Sequence, residues 1–349
     1  MYNPRVYTVE SVTAGHPDKV CDQISDAILD ACLDRDPKSR VAVESFGSHG
    51  KLIIGGEVTT TDVPSYADIA RDVYKDIGYT SELDIIAHVV SQSLDISQGV
   101  DTGGAGDQGI MYGYATDETA AILPKGIVLV HEMARMLEKL RKENVLPWLR
   151  PDGKTQLTLD GGNILSALIS TQHSKEVSQQ EIRAALIEHI FGPVLGDVES
   201  IEILVNPTGK FVQGGFDADA GLTGRKIMVD TYGGLVSHGG GAFSGKDPTK
   251  VDRSAAYMAR FAAKNVVANG FAKKCLVSVA YAIGRVEPLM VEAIDENEKD
   301  LSALVKEKFD FRPLAIIERL DLRRPIYRQT AAYGHFGKEG LPWEAFVAL

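Results

Sequence analysis

The sequence predicts an α+β protein whose sheets carry helices on one face. Segments with β-type and helical patterns alternate from one end of the chain to the other, and groups of strands are separated by single helices. The hydrophobic fraction of 44% and the charged fraction of 24% are those of globular proteins. Because 349 residues exceed the usual length of one hydrophobic core, we expect two or three domains.

The first predicted helix has apolar residues at helical spacing between Ile24 and Cys32, with Pro17 near its start and Pro37 beyond its end. The next two segments, 41–46 and 52–61, are rich in β-branched residues and are separated by glycines, which predicts a hairpin. The same criteria predict helices over 66–77, 127–142, 179–191 and 252–268, and strands over 108–115, 164–170, 201–205 and 276–283.

Charge and cysteine content exclude several classes of protein. The net charge of −11 disfavours a binder of nucleic acid or of anionic membranes, because such proteins need a basic face. Cys21, Cys32 and Cys275 form no C-x-x-C pair and lie in apolar surroundings, which indicates buried thiols of a reducing compartment. The N-terminus has no apolar signal segment, and no apolar run is long enough to span a membrane. We expect a cytoplasmic protein.

Glycine and lysine are concentrated in the last third of the chain. Of the 34 glycines, 11 fall within residues 209–245. Residues 240–246 satisfy the pattern G-x-x-x-x-G-K, in which backbone amides and a lysine bind phosphate. However, Asp247 stands where a P-loop enzyme has the hydroxyl that holds magnesium, and the apolar run 227–229 ends well upstream. The pattern therefore predicts a polyphosphate site that is not an ordinary P-loop.

The residues before the first helix are Gly-His-Pro-Asp-Lys, from Gly15 to Lys19. Asp18 falls at the positive N-terminus of the helix, beside the imidazole of His16, where a carboxylate could hold magnesium. Alternatively, Asp18 is a simple N-cap followed by a solvated Lys19. The pentapeptide alone leaves both interpretations open.

Two glutamates interrupt apolar strand patterns. Glu44 and Glu57 would destabilise the fold by several kcal/mol on a buried face unless each were paired or bound to a ligand. Strand alternation can instead place either of them in solvent. A cation or a substrate ammonium group would satisfy Glu57, which follows two glycines.

Other polar segments suggest a nucleotide and a mobile loop. Residues 98–107 have four glycines between their polar residues, as lids over active sites do, although a flexible connector is also compatible. Phe211 could stack on a nucleobase or pack in the core, and Asp219 could accept hydrogen bonds from ribose. Arg225 and Lys226 could neutralise phosphate.

Together these segments resemble the S-adenosylmethionine synthetases of the bacterial and eukaryotic type. The resemblance runs through residues 10–19, 103–109, 239–252 and 330–337 and covers nearly the whole chain. It implies that ATP and L-methionine form S-adenosylmethionine, and that the tripolyphosphate is then cleaved to pyrophosphate and phosphate. It also implies three similar α+β domains around a pseudo-threefold axis, which we place at 1–99, 108–212 and 213–349.

The resemblance implies catalytic and metal-binding roles for individual residues. His16 would contact the junction of ribose and triphosphate and stabilise the leaving oxygen. Asp18 and Asp252 would hold two Mg²⁺ ions, and Glu44 would serve one K⁺ site per subunit. The implied catalytic residues are His16, Lys154, Arg225, Lys226 and Lys246.

The resemblance also implies how the substrates bind. Phe211 would contact the adenine, and Asp107 and Asp219 would lie at the ribose and methionine. The implied methionine-binding residues are Glu57, Gln98, Asp219 and Lys250. The implied ATP-binding residues are His16, Asp107, Lys154, Lys210, Phe211, Asp219, Arg225, Lys226, Ala242 and Lys246.

In this family the active sites lie at a subunit interface, so the resemblance implies a homodimer, often paired into a homotetramer. The sequence departs from the family in a shorter loop after Gln98 and in Lys210, where many members have arginine. Two other functions stay open from the residues. One is a nucleotide hydrolase that uses 240–246 with 227–230 as its Walker B strand, and the other is an inactive nucleotide-binding relative.

Overall fold

The computed structural model describes residues 4–91 and 103–349. The strands are β1 Val6–Val12, β2 Arg40–Ser48, β3 Lys51–Thr59, β4 Asp84–Val90, β5 Gly109–Thr116, β6 Leu149–Asp160, β7 Asn163–His173, β8 Glu202–Val205, β9 Gly221–Leu222, β10 Lys274–Tyr281 and β11 Met290–Asp295. The helices are α1 Pro17–Arg35, α2 Tyr66–Ile77, α3 Lys125–Lys142, α4 Gln179–Leu186, α5 Gly192–Leu195, α6 Ile227–Asp230, α7 Val251–Ala268, α8 Ser302–Lys308 and α9 Pro313–Arg319.

The strands form three sheets that share one plan. Their orders are β1-β6-β7-β8, β9-β2-β3-β4 and β5-β10-β11. In each sheet an antiparallel hairpin receives a further antiparallel strand on one side, and in the first two sheets a parallel strand follows on the other. Each third of the chain runs strand, helix, hairpin, helix, and its first strand joins the hairpin of another third. The connectivity is therefore cyclic, and it confirms the predicted α+β class with three similar units.

The exchange of first strands has a consequence for domain limits. Strand β1 pairs with β6, β5 pairs with β10, and β9 pairs with β2, so every sheet takes strands from two of the ranges 1–99, 108–212 and 213–349. These limits stay a prediction about segments of the chain. They do not separate one sheet from the next.

The predicted local elements are confirmed. The hairpin β2–β3 turns at His49 and Gly50, whose φ angles of 44° and 76° are those of a two-residue turn that suits twisted strands. Helix α2 has the predicted bounds, and the segment predicted as a helix over 179–191 is α4 followed by a π-helical turn, Ile187–Phe191. The interpretation of 227–230 as a strand is wrong, because these residues form the helical turn α6.

Helix α1 lies at the centre of the molecule. Every residue from Pro17 to Leu29 is buried, and the helix packs on β2, α2 and β9. A second core lies between α3 and the sheet of β6 and β7. The three cysteines are buried and unpaired, as predicted. Among the helices of 4–91 and 103–349, none combines the length and apolar character needed to cross a bilayer.

Candidate active site

His16 caps the N-terminus of α1. Its backbone is extended, with φ −61° and ψ 136°, and its Nδ1 accepts a hydrogen bond from the Asp18 amide at 3.2 Å. The proton of the neutral ring therefore lies on Nε2. Burial lowers the pKa of His16 to about 3, and the charge of Lys226 adds to this effect. The imidazole is a neutral hydrogen-bond donor at pH 7, so its 3.9 Å approach to the Asp18 carboxylate is not an ion pair.

Asp18 joins α1 to the segment that carries two cations. Its Oδ2 accepts from Lys226 Nζ at 2.7 Å, and its Oδ1 accepts from the Leu222 amide at 3.0 Å. The Nε of Arg225 lies 3.4 Å from Oδ1. Burial raises the pKa of Asp18, but the hydrogen bonds from Lys226 and Leu222 outweigh it, so the pKa lies below its ordinary value. An ionised carboxylate thus faces both cations.

The interpretation of this segment as a simple N-cap with a solvated lysine is wrong. His16 is the cap, and the Lys19 side chain is completely buried. Its Nζ donates to Asp22 at 3.0 Å and also to Asp230. Burial lowers the pKa of Lys19, but the two carboxylates more than compensate and hold it above the ordinary value. Lys19 is an internal cation shared by two helices.

The glycine-rich loop, residues 239–250, lies along the edge of β2. The Val43 amide donates to the Gly245 carbonyl at 3.0 Å, and Gly245 has a φ of 78°. A Cβ there would lie 1.9 Å from the Val43 oxygen, so no other residue fits. The next residue, Lys246, directs its Nζ to Asp252 Oδ2 at 2.6 Å. A lysine–carboxylate pair therefore joins the loop to the start of α7.

Asp247 anchors this loop and is not placed as a metal ligand. It is buried and accepts from the Val41 amide at 2.7 Å and from Lys250 Nζ at 2.5 Å. Helix α7 begins only at Val251, and the segment upstream, 227–230, is helical. A P-loop needs a strand directly before the loop and a helix that starts at the lysine. The P-loop hydrolase interpretation has neither.

Two loops bring the cations together. A Cβ on Gly224 would lie 2.4 Å from the Cβ of Ala242, so the segment of Arg225 and Lys226 contacts the glycine-rich loop. The charge of Lys154, on β6, contributes to the lowered pKa of His16 and so acts at the same place. A cavity of about 320 Å³ lies beside these loops and is lined by Ala242, Ser244, Lys246 and residues of β2 and β3.

Glu44 and Glu57 lie on one exposed face of the sheet β9-β2-β3-β4. Glu57 stands opposite Ala42 and Glu44 opposite Gly55, so the two carboxylates are diagonal neighbours. Neither has a salt-bridge partner among residues 4–91 and 103–349. Exposed apolar side chains surround them on this face, namely Phe46, Ile53, Ile86 and Val90 with Leu222. The register also places the polar residues Arg40, Lys51, Asp84 and His88 on it.

The residues predicted to bind the nucleoside lie near β7. Phe211 is half-buried, and its amide donates to His173 Nε2 at 3.1 Å. Lys210 and Asp219 are exposed, and Asp219 Oδ1 accepts from the next amide at 2.8 Å. No base or ribose contact follows from these positions alone, so their roles stay predictions.

Asp152 is a polar residue that sequence reasoning missed. Its Oδ2 accepts from the Gly215 amide at 2.9 Å, whereas its buried Oδ1 has no partner in the described part of the chain. Burial raises the pKa of Asp152 to about 6. The signal was an acidic residue in a strand pattern two positions before Lys154. Its free oxygen is available to a hydrogen-bond donor of a ligand.

The last two predicted positions lie near the start of β5. Asp107 is exposed, and its Oδ1 accepts from the next amide at 2.7 Å. A Cβ on the nearby Gly109 would lie 3.5 Å from Asp252 Oδ1. Gln98 lies outside the described residues. Within 4–91 and 103–349, no three His, Cys, Asp or Glu side chains converge as a set of metal ligands, and Asp18 and Asp252 stand as separate carboxylates.

Comparison with known proteins identifies one family over nearly the whole chain. Three family models match consecutive segments: the N-terminal domain of S-adenosylmethionine synthetase over 4–98, its central domain over 102–211 and its C-terminal domain over 213–345.

Curated relatives agree with these matches. The chain is 50% identical to an S-adenosylmethionine synthase of Pseudothermotoga lettingae, with 99% of this chain and 97% of the relative covered. It is 51% identical to that of Desulforudis audaxviator, with 97% and 95% covered, and 49% identical to that of Treponema denticola, with 97% and 95% covered.

Proposed function

The chain belongs to the S-adenosylmethionine synthetase family, and we propose that the site around His16 forms S-adenosylmethionine from ATP and L-methionine. The observation that carries this proposal is a neutral, buried imidazole beside an ionised Asp18 with Arg225 and Lys226. A thioether sulfur attacks without losing a proton, so the reaction needs alignment and stabilisation of the leaving group rather than a base. The site supplies donors and cations.

In the proposed reaction the methionine sulfur attacks C5′ of ATP. The bond from C5′ to oxygen breaks, its electron pair leaves with the tripolyphosphate, and the sulfur becomes a sulfonium. His16 donates from Nε2–H to the leaving oxygen, and Lys154, Arg225 and Lys226 neutralise the charge that develops. Lys246 binds the outer phosphates, where water then cleaves tripolyphosphate to pyrophosphate and phosphate.

Asp18 and Asp252 are suitable ligands for Mg²⁺ ions that would bind together with the polyphosphate. Mg²⁺ in phosphate sites takes one or two carboxylates, and substrate oxygens and water complete its coordination. Asp18 and Asp252 each offer one carboxylate, and each faces a lysine assigned to polyphosphate. We therefore assign them the two Mg²⁺ ions, which neutralise polyphosphate charge when bound. Glu44, an exposed oxygen donor, is assigned the K⁺ site.

Methionine and nucleoside positions complete the proposal. Glu57 binds the methionine ammonium, and Gln98, Asp219 and Lys250 belong to the same subsite. Phe211 contacts the adenine. Asp107, Asp219 and Oδ1 of Asp152 accept hydrogen bonds from the nucleoside, and Lys210 and Ala242 lie next to it.

The exposed sheet face supports a homodimer with active sites at the interface. Glu44 and Glu57 lie among the exposed side chains of Phe46, Ile53, Ile86 and Val90, and a second subunit would cover these apolar groups and enclose both carboxylates. Pairing of dimers into a tetramer and a cytoplasmic location, which the unpaired buried cysteines favour, complete the proposal.

His16→Ala tests the role of the imidazole. We expect the rate of S-adenosylmethionine formation to fall about 100-fold, because one donor to the leaving oxygen is lost. Hydrolysis of added tripolyphosphate should change much less, because no C5′ bond is broken. His189→Ala, in the π-helical turn, is the matched control and should affect neither rate. Equal loss of both activities in His16→Ala would refute the assignment.

A further inference from the structure

Helix α1 carries four aspartates at four-residue spacing. Asp18, Asp22, Asp26 and Asp30 lie along one stripe of the helix, because residues four apart share a face. The side chains of Asp22 and Asp26 are completely buried. Buried carboxylates lower the stability of the fold unless they are paired and hydrogen-bonded, so each of these aspartates is expected to have specific partners. Each of the four accepts at least one backbone N–H from a segment remote in sequence.

Asp22 binds the backbone that leads into two proposed phosphate ligands. Its Oδ1 accepts from the Gly224 amide at 2.8 Å, and its Oδ2 accepts from Lys19 Nζ at 3.0 Å. Gly224 directly precedes Arg225 and Lys226. The carboxylate therefore fixes the point from which both cationic side chains extend.

Asp26 fixes the backbone of the glycine-rich loop. Its Oδ1 accepts from the Gly245 amide at 2.8 Å, and its two oxygens bind the Arg253 guanidinium at 2.6 and 2.9 Å. The same guanidinium donates to the carbonyl oxygen of Lys246 at 3.2 Å. The backbone on both sides of Lys246 is thus held from α1.

We propose that Asp22 and Asp26 are positioning residues that fix the two cation-bearing loops relative to His16. His16 caps the same helix, so one rigid element sets the place of the leaving-group donor and of the polyphosphate cations. Hydrogen bonds from backbone amides to carboxyl oxygens are directional, and small errors in placement are costly in catalysis. Neither aspartate touches the substrate. The inference rests on the proposed function of the cations.

A purely structural role is the alternative, in which the aspartates only neutralise Lys19 and Arg253. That role predicts a smaller folded fraction with unchanged affinity of the folded molecules. Asp30 provides a matched control on the same stripe, because it accepts from the amides of Tyr327 and Arg328 at 2.9 and 2.8 Å and not from a phosphate loop.

The experiment compares Asp22→Ala, Asp22→Asn and Asp30→Ala in the full-length protein with Mg²⁺. The KM for hydrolysis of added tripolyphosphate is measured, with the KM for methionine and a thermal unfolding curve. We expect Asp22→Ala to raise the KM for tripolyphosphate about ten-fold, since the hydrogen bond that holds the Gly224 amide is lost. Asp22→Asn keeps an acceptor for the Gly224 amide and should recover much of this loss. Asp30→Ala should leave the KM unchanged.

The proposal is overturned if Asp22→Ala and Asp30→Ala shift the KM for tripolyphosphate equally. It is also overturned if Asp22→Ala leaves the KM for tripolyphosphate unchanged and lowers the maximal rate only in proportion to the folded fraction. Because KM belongs to the folded molecules, a partly unfolded preparation still decides between these outcomes. Synthesis of S-adenosylmethionine by the wild-type protein in the same assay distinguishes failure of this inference from failure of the proposed function.

A second measurement needs no variant. Amide hydrogen exchange of the wild-type protein should show slow exchange at Gly224 and Gly245, whose amides are donated to buried carboxylates. Exchange at both glycines as fast as at Gly234, for which no such carboxylate contact exists among the described residues, would overturn the proposal.

Discussion

His16 should stay neutral through the pH range in which most histidines titrate. Its pKa is lowered from 6.5 to about 3, chiefly by burial. Each pKa unit corresponds to about 1.4 kcal/mol. Because the folded pKa lies below that of the unfolded chain, the unfolded state binds the proton more readily, and stability falls as the pH drops below 6.5. Between pH 8 and pH 5 this residue should lower the free energy of unfolding by about 2 kcal/mol.

Urea unfolding of the wild-type protein and of His16→Asn at both pH values measures this contribution. Asparagine is a good N-cap residue and cannot take up the proton, so it preserves the start of α1 and removes only the titration. The difference between the two pH values should be about 2 kcal/mol larger in the wild-type protein. Equal pH dependence of the two proteins would show that the pKa of His16 is not lowered by folding, as would a pKa near 6.5 in the wild-type rate profile that is absent in the variant.

Further predictions concern methionine, packing, a hydroxyl and magnesium. Glu57→Gln should raise the KM for methionine about ten-fold, because the charge opposite the ammonium is lost, and an unchanged KM would reject that role. Gly221→Ala should lower the melting temperature by several degrees, since its Cβ would lie 2.2 Å from a carbonyl oxygen at the start of α1, and an unchanged melting temperature would contradict this packing. Tyr333→Phe removes the hydroxyl that accepts from the Ala14 amide at 3.1 Å and should cost about 1–3 kcal/mol in urea unfolding. An unchanged free energy of unfolding would contradict this role of the Tyr333 hydroxyl. Chelation of Mg²⁺ should abolish activity without unfolding, because both assigned carboxylates keep lysine partners, and a loss of circular dichroism would contradict this.

Sequence patterns predicted the helices and strands well, because these elements depend mainly on residues that are neighbours in the chain. The hairpin β2–β3 and the bounds of α2 follow from β-branched runs, glycines and helical periodicity. The pairing of β1 with β6 could not be predicted in this way, because the partners are more than a hundred residues apart. The sequence of one strand carries no signal that identifies its partner. The cyclic exchange of strands became visible only in the structure.

In the candidate site, too, local motifs were predictable and contacts between distant segments were not. Motifs and resemblance identified His16, Asp18 and the lysines, but Lys19 was open to a solvated interpretation that the structure contradicts. Its burial depends on Asp230, which is remote in sequence, so no local pattern could reveal it. The regular spacing of aspartates on α1 was visible in the sequence, but its meaning depends on loops that approach from elsewhere in the chain.

The most direct test of this account follows three products at once. Purified protein is incubated with ATP, L-methionine, Mg²⁺ and K⁺, and S-adenosylmethionine, pyrophosphate and phosphate are quantified together. We expect equal amounts of all three, because each leaving tripolyphosphate is cleaved once. Loss of ATP without S-adenosylmethionine would contradict it, and so would the absence of any turnover.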